Sequence, residues 1–206
     1  TNEGNFQFGN AKVSYYDITN ATVTEDLYQP ANSVSLGDVC QSMALFNGKA
    51  WVAVAQGNSL NLYSGSTDLS DLKIEKSINI SGGNVFPKLT VYKNTLWLAY
   101  KDGTDNKIKL WRSDSDSVES IGIGYGNDPI ALGNGFMAWQ ATPAYDIKIR
   151  TIDSGNVSNG GNGKPTGLSR ITDAGLVITI DDDRNIISYG TRPSFAGALV
   201  AVEGKE

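Results

Sequence analysis

Apolar residues along the chain come in short runs of about four to eight, and many alternate with polar residues at a period of two. That period marks a strand with one face buried, and runs this short stop before a helix would have made three turns. The runs are Ala11–Tyr16, Ala50–Ala55, Leu60–Tyr63, Lys88–Tyr92, Leu96–Tyr100, Ile108–Trp111, Phe136–Trp139, Ile147–Ile149, Leu176–Ile180, Ile186–Tyr189 and Leu199–Val202. Tight-turn residues separate them, among them Asn47-Gly48, Gln56-Gly57-Asn58, Asp102-Gly103, Gly133-Asn134-Gly135 and Asp173-Ala174-Gly175. No segment carries helical periodicity. Ser154–Gly163, rich in Gly, Asn and Ser, is expected to be a loop.

The runs repeat as a unit. Pro87–Trp111 contains a strand, a tight turn, a second strand, a polar turn and a third strand. Ser42–Val54 followed by Ser59–Tyr63 has the same order, as do Pro129–Trp139 with Asp146–Ile149, and Pro165–Asp181 with Asn185–Tyr189. The third strands supply landmarks at Leu60, Ile108, Ile147 and Ile186, spaced by 48, 39 and 39 residues. Val13 in the N-terminal run is a fifth, 47 residues before Leu60 and 33 after Ile186 when counted around the chain ends. The mean is about 41, within the ~40–45 residues of a four-stranded propeller blade. Ser194–Val202 resembles the first two strands of a unit without its third, and Lys12–Tyr16 with Ala21–Tyr28 resembles the third and fourth strands without their first two. The expectation is therefore an all-β fold over residues 1–206 as one domain, a small β-propeller of five blades whose termini share one blade, leaving only short protected edges. Only 13 residues separate Ile186 from Leu199, where other copies use 28 to 38, so four blades plus an N-terminal hairpin stays open.

Composition narrows the chemistry. Among 206 residues, 23 are glycine, about 11%, against a usual ~7%, as expected of a chain that turns often. With 17 basic and 22 acidic residues the net charge is −5, and no basic stripe offers the clustered cations that nucleic acid requires. There is no histidine, which removes His-based triads, His-ligated metals and His general bases. A single cysteine, Cys40, excludes an intrachain disulfide framework and a Cys-rich zinc site, and an inert buried thiol is expected there. No apolar run approaches the ~18 residues of a membrane-spanning helix. The sequence shows no signal peptide, and Thr1 is small enough to follow a removed initiator Met or a removed leader. Sequons at Asn20, Asn79 and Asn156 do not fix the compartment, cytoplasmic or secreted.

The unit Pro87–Asp102 (Pro-Lys-Leu-Thr-Val-Tyr-Lys-Asn-Thr-Leu-Trp-Leu-Ala-Tyr-Lys-Asp) resembles repeats of non-catalytic β-propeller lectins and sialidase-like propellers. Ser113-Asp-Ser-Asp116 and Ser64-Gly-Ser-Thr-Asp68, after third strands, look like degenerate Asp-boxes. The resemblance covers two units well and two weakly. Separately, Asn2–Asp17 and Leu36–Met43 look like the opening of bacterial surface propellers that capture small ligands, which are longer and usually seven-bladed. Both resemblances imply a propeller; they differ on the ligand.

The third strands place an aromatic at corresponding positions, Tyr16, Tyr63, Trp111 and Tyr189, with Arg150 in the third unit. A sugar presents an apolar C–H face and a hydroxyl rim, so a glycan site wants an aromatic platform beside charged or amide groups. Arg112, Arg150, Asp102 and Gln140, with Lys109, are the candidate rim. The alternative is that these aromatics are core, packed between neighbouring sheets, as Trp51, Trp97, Phe136 and Trp139 are expected to be. Asp181-Asp182-Asp183 fits a solvated turn aligned with Lys101–Asp105, ahead of a calcium site or a catalytic pair. The five arginines, Arg112, Arg150, Arg170, Arg184 and Arg192, form no evident set for a substrate carboxylate. Repetition gives a lectin avidity and gives an enzyme little. The sequence reading is therefore a lectin binding glycans or glycoproteins through repeated sites, with no catalytic residues, metal or cofactor, self-association into a dimer being one route to multivalency. A ligand- or protein-binding surface propeller is the alternative, and a propeller glycosidase the third.

Overall fold

A computed structural model of the chain describes residues 4, 7–80, 85–124, 130–133, 135–141, 146–162, 170–171, 177–180 and 186–187. Among them the secondary structure is strand throughout, apart from one five-residue helix. Three successive four-stranded antiparallel sheets follow one another along the chain, each a simple meander. The first joins β3 (Val39–Phe46), β4 (Lys49–Gln56), β5 (Ser59–Gly65) and β6 (Lys73–Asn79). The second joins β7 (Lys88–Tyr92), β8 (Thr95–Lys101), β9 (Lys107–Arg112) and β10 (Ser117–Ile123). The third joins β11 (Ile130–Gly133), β12 (Phe136–Gln140), β13 (Asp146–Thr151) and β14 (Val157–Asn162). A three-stranded set follows, β15 (Arg170–Ile171), β16 (Val177–Ile180) and β17 (Ile186–Ile187). Ahead of them all stands a two-stranded hairpin, β1 (Tyr15–Asp17) with β2 (Thr22–Thr24).

The landmarks Leu60, Ile108, Ile147 and Ile186 lie on β5, β9, β13 and β17, the third strand of each set. The repeat read from the sequence is thus the sheet itself, and a four-stranded antiparallel meander is the blade unit of a β-propeller. The Asn47-Gly48 turn works as such a pair should: both residues have positive φ, 50° and 71°, which lets two residues reverse the chain between Phe46 and Lys49. The expected sharing of one blade by Ser194–Val202 and the N-terminal strands falls on residues outside those described, as do Leu199–Val202 and Asp181–Asp183.

Contacts group the chain into two compact units, Thr1–Leu98 with Asp102–Thr104, and Ala99–Lys101 with Asp105–Glu206. In the first, the core gathers Ala11, Val13, Tyr28, Leu36, Cys40, Val52, Val54, Tyr63, Leu69 and Leu72. Each fully buried Leu or Val contributes on the order of 1.5–3 kcal/mol of apolar transfer. Asp38 ties the N-terminal segment to this core: its buried carboxylate accepts hydrogen bonds from the Gly9 N–H at 2.8 Å and the Gly57 N–H at 3.1 Å. Ala11 N–H donates to the Gly37 carbonyl at 3.0 Å beside it. In the second unit, Ile108, Ile130, Met137, Ala138 and Ile149 are buried between strands.

Three expectations need correction. Residues 11–14 belong to no strand; Ala11 and Val13 are buried in the core, and the strand starts at Tyr15. Ser154–Gly163 is a loop only at its start, since Val157–Asn162 is β14, paired antiparallel with β13. An outermost strand needs only one neighbour and little apolar content, so its sequence gives no strand signal. The third correction is helix α1, Tyr28–Asn32, which the sequence reading lacked. Asp26 holds its first turn by accepting from the Tyr28 and Gln29 N–H groups, both at 3.1 Å, and Asn32 Nδ2 donates to the Tyr28 carbonyl at 3.0 Å.

Candidate functional site

The aromatics of the third strands are core in both sheets where they are described. Tyr63 on β5 is 3% exposed. Its hydroxyl donates to the Leu36 carbonyl at 3.1 Å, and its ring meets Tyr28 edge-on at 5.7 Å. Burial pushes its phenol up to about 12. Trp111 on β9 is 4% exposed, and its indole N–H donates to Asp116 Oδ1 at 2.7 Å. Neither ring offers a face for a sugar to stack on, so the platform role assigned to them gives way to packing. Tyr189 lies outside the described residues.

The rim residues belong to separate elements. Asp102 lies in the turn that leads into β9, where it accepts from the Thr104 N–H at 3.0 Å, whereas Arg112 closes the far end of β9. Six strand residues at ~3.3 Å each stand between the two ends. Arg112 is half-exposed and engages Asp114 through Nε, at 2.5 Å, and through a second guanidinium nitrogen. That pairing holds the Asp114 carboxyl below its ordinary range. Gln140 is fully buried at the end of β12. Arg150 on β13 is buried too, and forks onto Glu119 of β10 at 2.8 and 2.7 Å. The Trp139 indole of β12 lies 3.4 Å from where a side chain on Gly122 of β10 would begin. Arg150 is therefore an inter-sheet tie whose forked geometry is taken up by a protein carboxylate.

The turn after β5, where one degenerate Asp-box falls, is a polar knot, whereas the one after β9 gives Asp116 to the Trp111 indole and Asp114 to Arg112. After β5, Asp71 accepts from the Ser66 N–H at 2.6 Å, the single Ser66 hydroxyl is shared between Asp68 at 2.5 Å and Asp71 at 2.6 Å, and Asp68 also accepts from the Ser70 hydroxyl at 2.8 Å. The Ser66 hydroxyl first, then the Ser70 N–H and hydroxyl, pull the Asp68 carboxyl down to about 2. Among the described residues no three acidic or thiol side chains are placed to hold a metal ion.

One candidate aromatic stays accessible. Tyr16 on β1 is 56% exposed and stands directly across from Val23 of β2, 61% exposed. Tyr15 and Ile18 of the same hairpin are exposed as well, Ile18 to 84%. The tip is ordered by Asp17, which accepts from the Thr19 N–H at 2.9 Å, the Asn20 N–H at 3.2 Å and the Asn20 side-chain amide at 2.7 Å. The Asn20 contacts, side chain first, hold the Asp17 carboxyl below its ordinary value. The other exposed apolar residues of the hairpin, Val23 on the Tyr16 face, Tyr15 on the opposite face and Ile18 at the tip, escaped the sequence reading.

No protein-family model and no curated protein sequence matches the chain. Solved structures do. A crystal structure of a nidogen/laminin complex matches 82% of this chain with a TM-score of 0.55 at 12% identity, and a protein assigned as a 6-phosphogluconolactonase from Bacteroides uniformis matches 90% with a TM-score of 0.54 at 13% identity. The fold is that of a β-propeller. The chain covers 66% and 62% of those two chains, so it spans less than two thirds of either. No helix among the described residues is long and apolar enough to cross a membrane.

Proposed function

We propose that this chain is a non-catalytic binding module that recognises a macromolecular partner through its β1–β2 hairpin. One observation carries the reading: Tyr15, Tyr16, Ile18 and Val23 are all exposed on a hairpin whose tip Asp17 has already ordered. Exposed apolar side chains grouped on a pre-organised element lose water and little entropy on contact, which is the economy of a binding surface. The nidogen/laminin complex among the similar structures is an assembly between proteins, which agrees with this use of the fold. A photoreactive amino acid at Tyr16, introduced in the producing cell, should form a covalent adduct with a partner. The same probe at Ser70, exposed on the turn after β5, should not. Equal labelling at both positions, or none at Tyr16, overturns the reading.

Glycan binding is the second reading, and Tyr16 favours it as the exposed member of the third-strand aromatics among the described residues. Asp17 and Asn20 beside it supply carboxylate and amide groups for sugar hydroxyls. A single platform of this kind binds a monosaccharide on the order of 0.1–1 mM. A glycan array with the pure protein, repeated with Tyr16→Ala, decides it: signal that disappears with the ring supports a lectin, and a blank array ends that reading. The absence of turnover is part of the proposal. Among the described turn carboxylates, Asp17, Asp68, Asp71 and Asp114 are held low by hydrogen bonds, the opposite of the raised pKa that a glycosidase acid needs.

A further inference from the structure

We draw no further inference here: the strongest candidate, the side-chain cluster where Arg150 of β13 and Trp139 of β12 lie against β10 with the Arg150 Nε and the Trp139 indole N–H both buried and without an acceptor, already has its charge answered by the Glu119 carboxylate, and nothing in the structure shows that the two N–H groups converge on one ligand.

Discussion

A Trp or Tyr on a strand has two uses, and the one-dimensional pattern does not separate them. The same period-two position that faces a ligand in one sheet faces the neighbouring sheet in another, because a propeller blade is packed on both faces. Tyr16, Tyr63 and Trp111 share a place in the repeat, yet the first is exposed and the other two are core. What separates them is the polar end of each ring. Tyr63 sends its hydroxyl to a buried carbonyl of its own chain, and Trp111 sends its N–H to Asp116 five residues on. Trp111→Ala should therefore act on stability, lowering it by ~3–5 kcal/mol as a large-to-small core change. Urea unfolding measures the loss. Binding at the hairpin, measured well below the unfolding transition, should stay as it is. A Trp111→Ala protein that melts normally while losing its ligand would return the ring to the binding surface.

At the scale of elements, legibility tracked burial. Lys88–Tyr92 is β7 residue for residue, and the runs at Ala50, Leu60, Leu96, Ile108 and Phe136 all fall within strands. The fourth strands were silent in the apolar pattern: Lys73–Asn79 and Ser117–Ile123 are mostly exposed, so polar residues are tolerated along them. Turn chemistry was visible as composition without its geometry. Ser64–Asp71 showed serines and aspartates, and only the fold reveals them as a closed hydrogen-bonded knot. That knot makes a prediction about acid. The Asp68 carboxyl sits at about 2 in the folded chain against an ordinary 3.8. A lowered pKa means that the folded turn prefers the ionised form, so its contribution is complete above pH ~4 and fades as pH falls toward 2. Protection of the Ser70 amide, which donates to Asp68, should be complete above that window and fall across it once the intrinsic pH dependence of exchange is divided out. In Asp68→Asn, which keeps one acceptor oxygen and no charge, the acid step should vanish. An unchanged acid step in that variant would assign it to another carboxylate.

For the whole molecule, the repeat was readable and the multivalency drawn from it was not. Spacings of 48, 39 and 39 residues give the sheets, because each sheet is one meander and every meander needs the same chain length. Repeated sheets do not imply repeated sites. In the first and second sheets the aromatic meant to stack on a sugar is spent on packing, and in the third Arg150 is spent on Glu119. Of the third-strand aromatics among the described residues, the accessible one is Tyr16 on the β1–β2 hairpin, which occurs once per chain. Binding should therefore saturate at one ligand per chain, whether the ligand is a protein or a glycan. Calorimetric titration gives that number directly. A monomeric chain should then fail to cross-link ligand-coated beads, since avidity needs at least two sites on one particle. Beads that clump with protein shown by sedimentation to be monomeric would reveal a second site, and the repeat would regain the multivalent role that its burial pattern denies it.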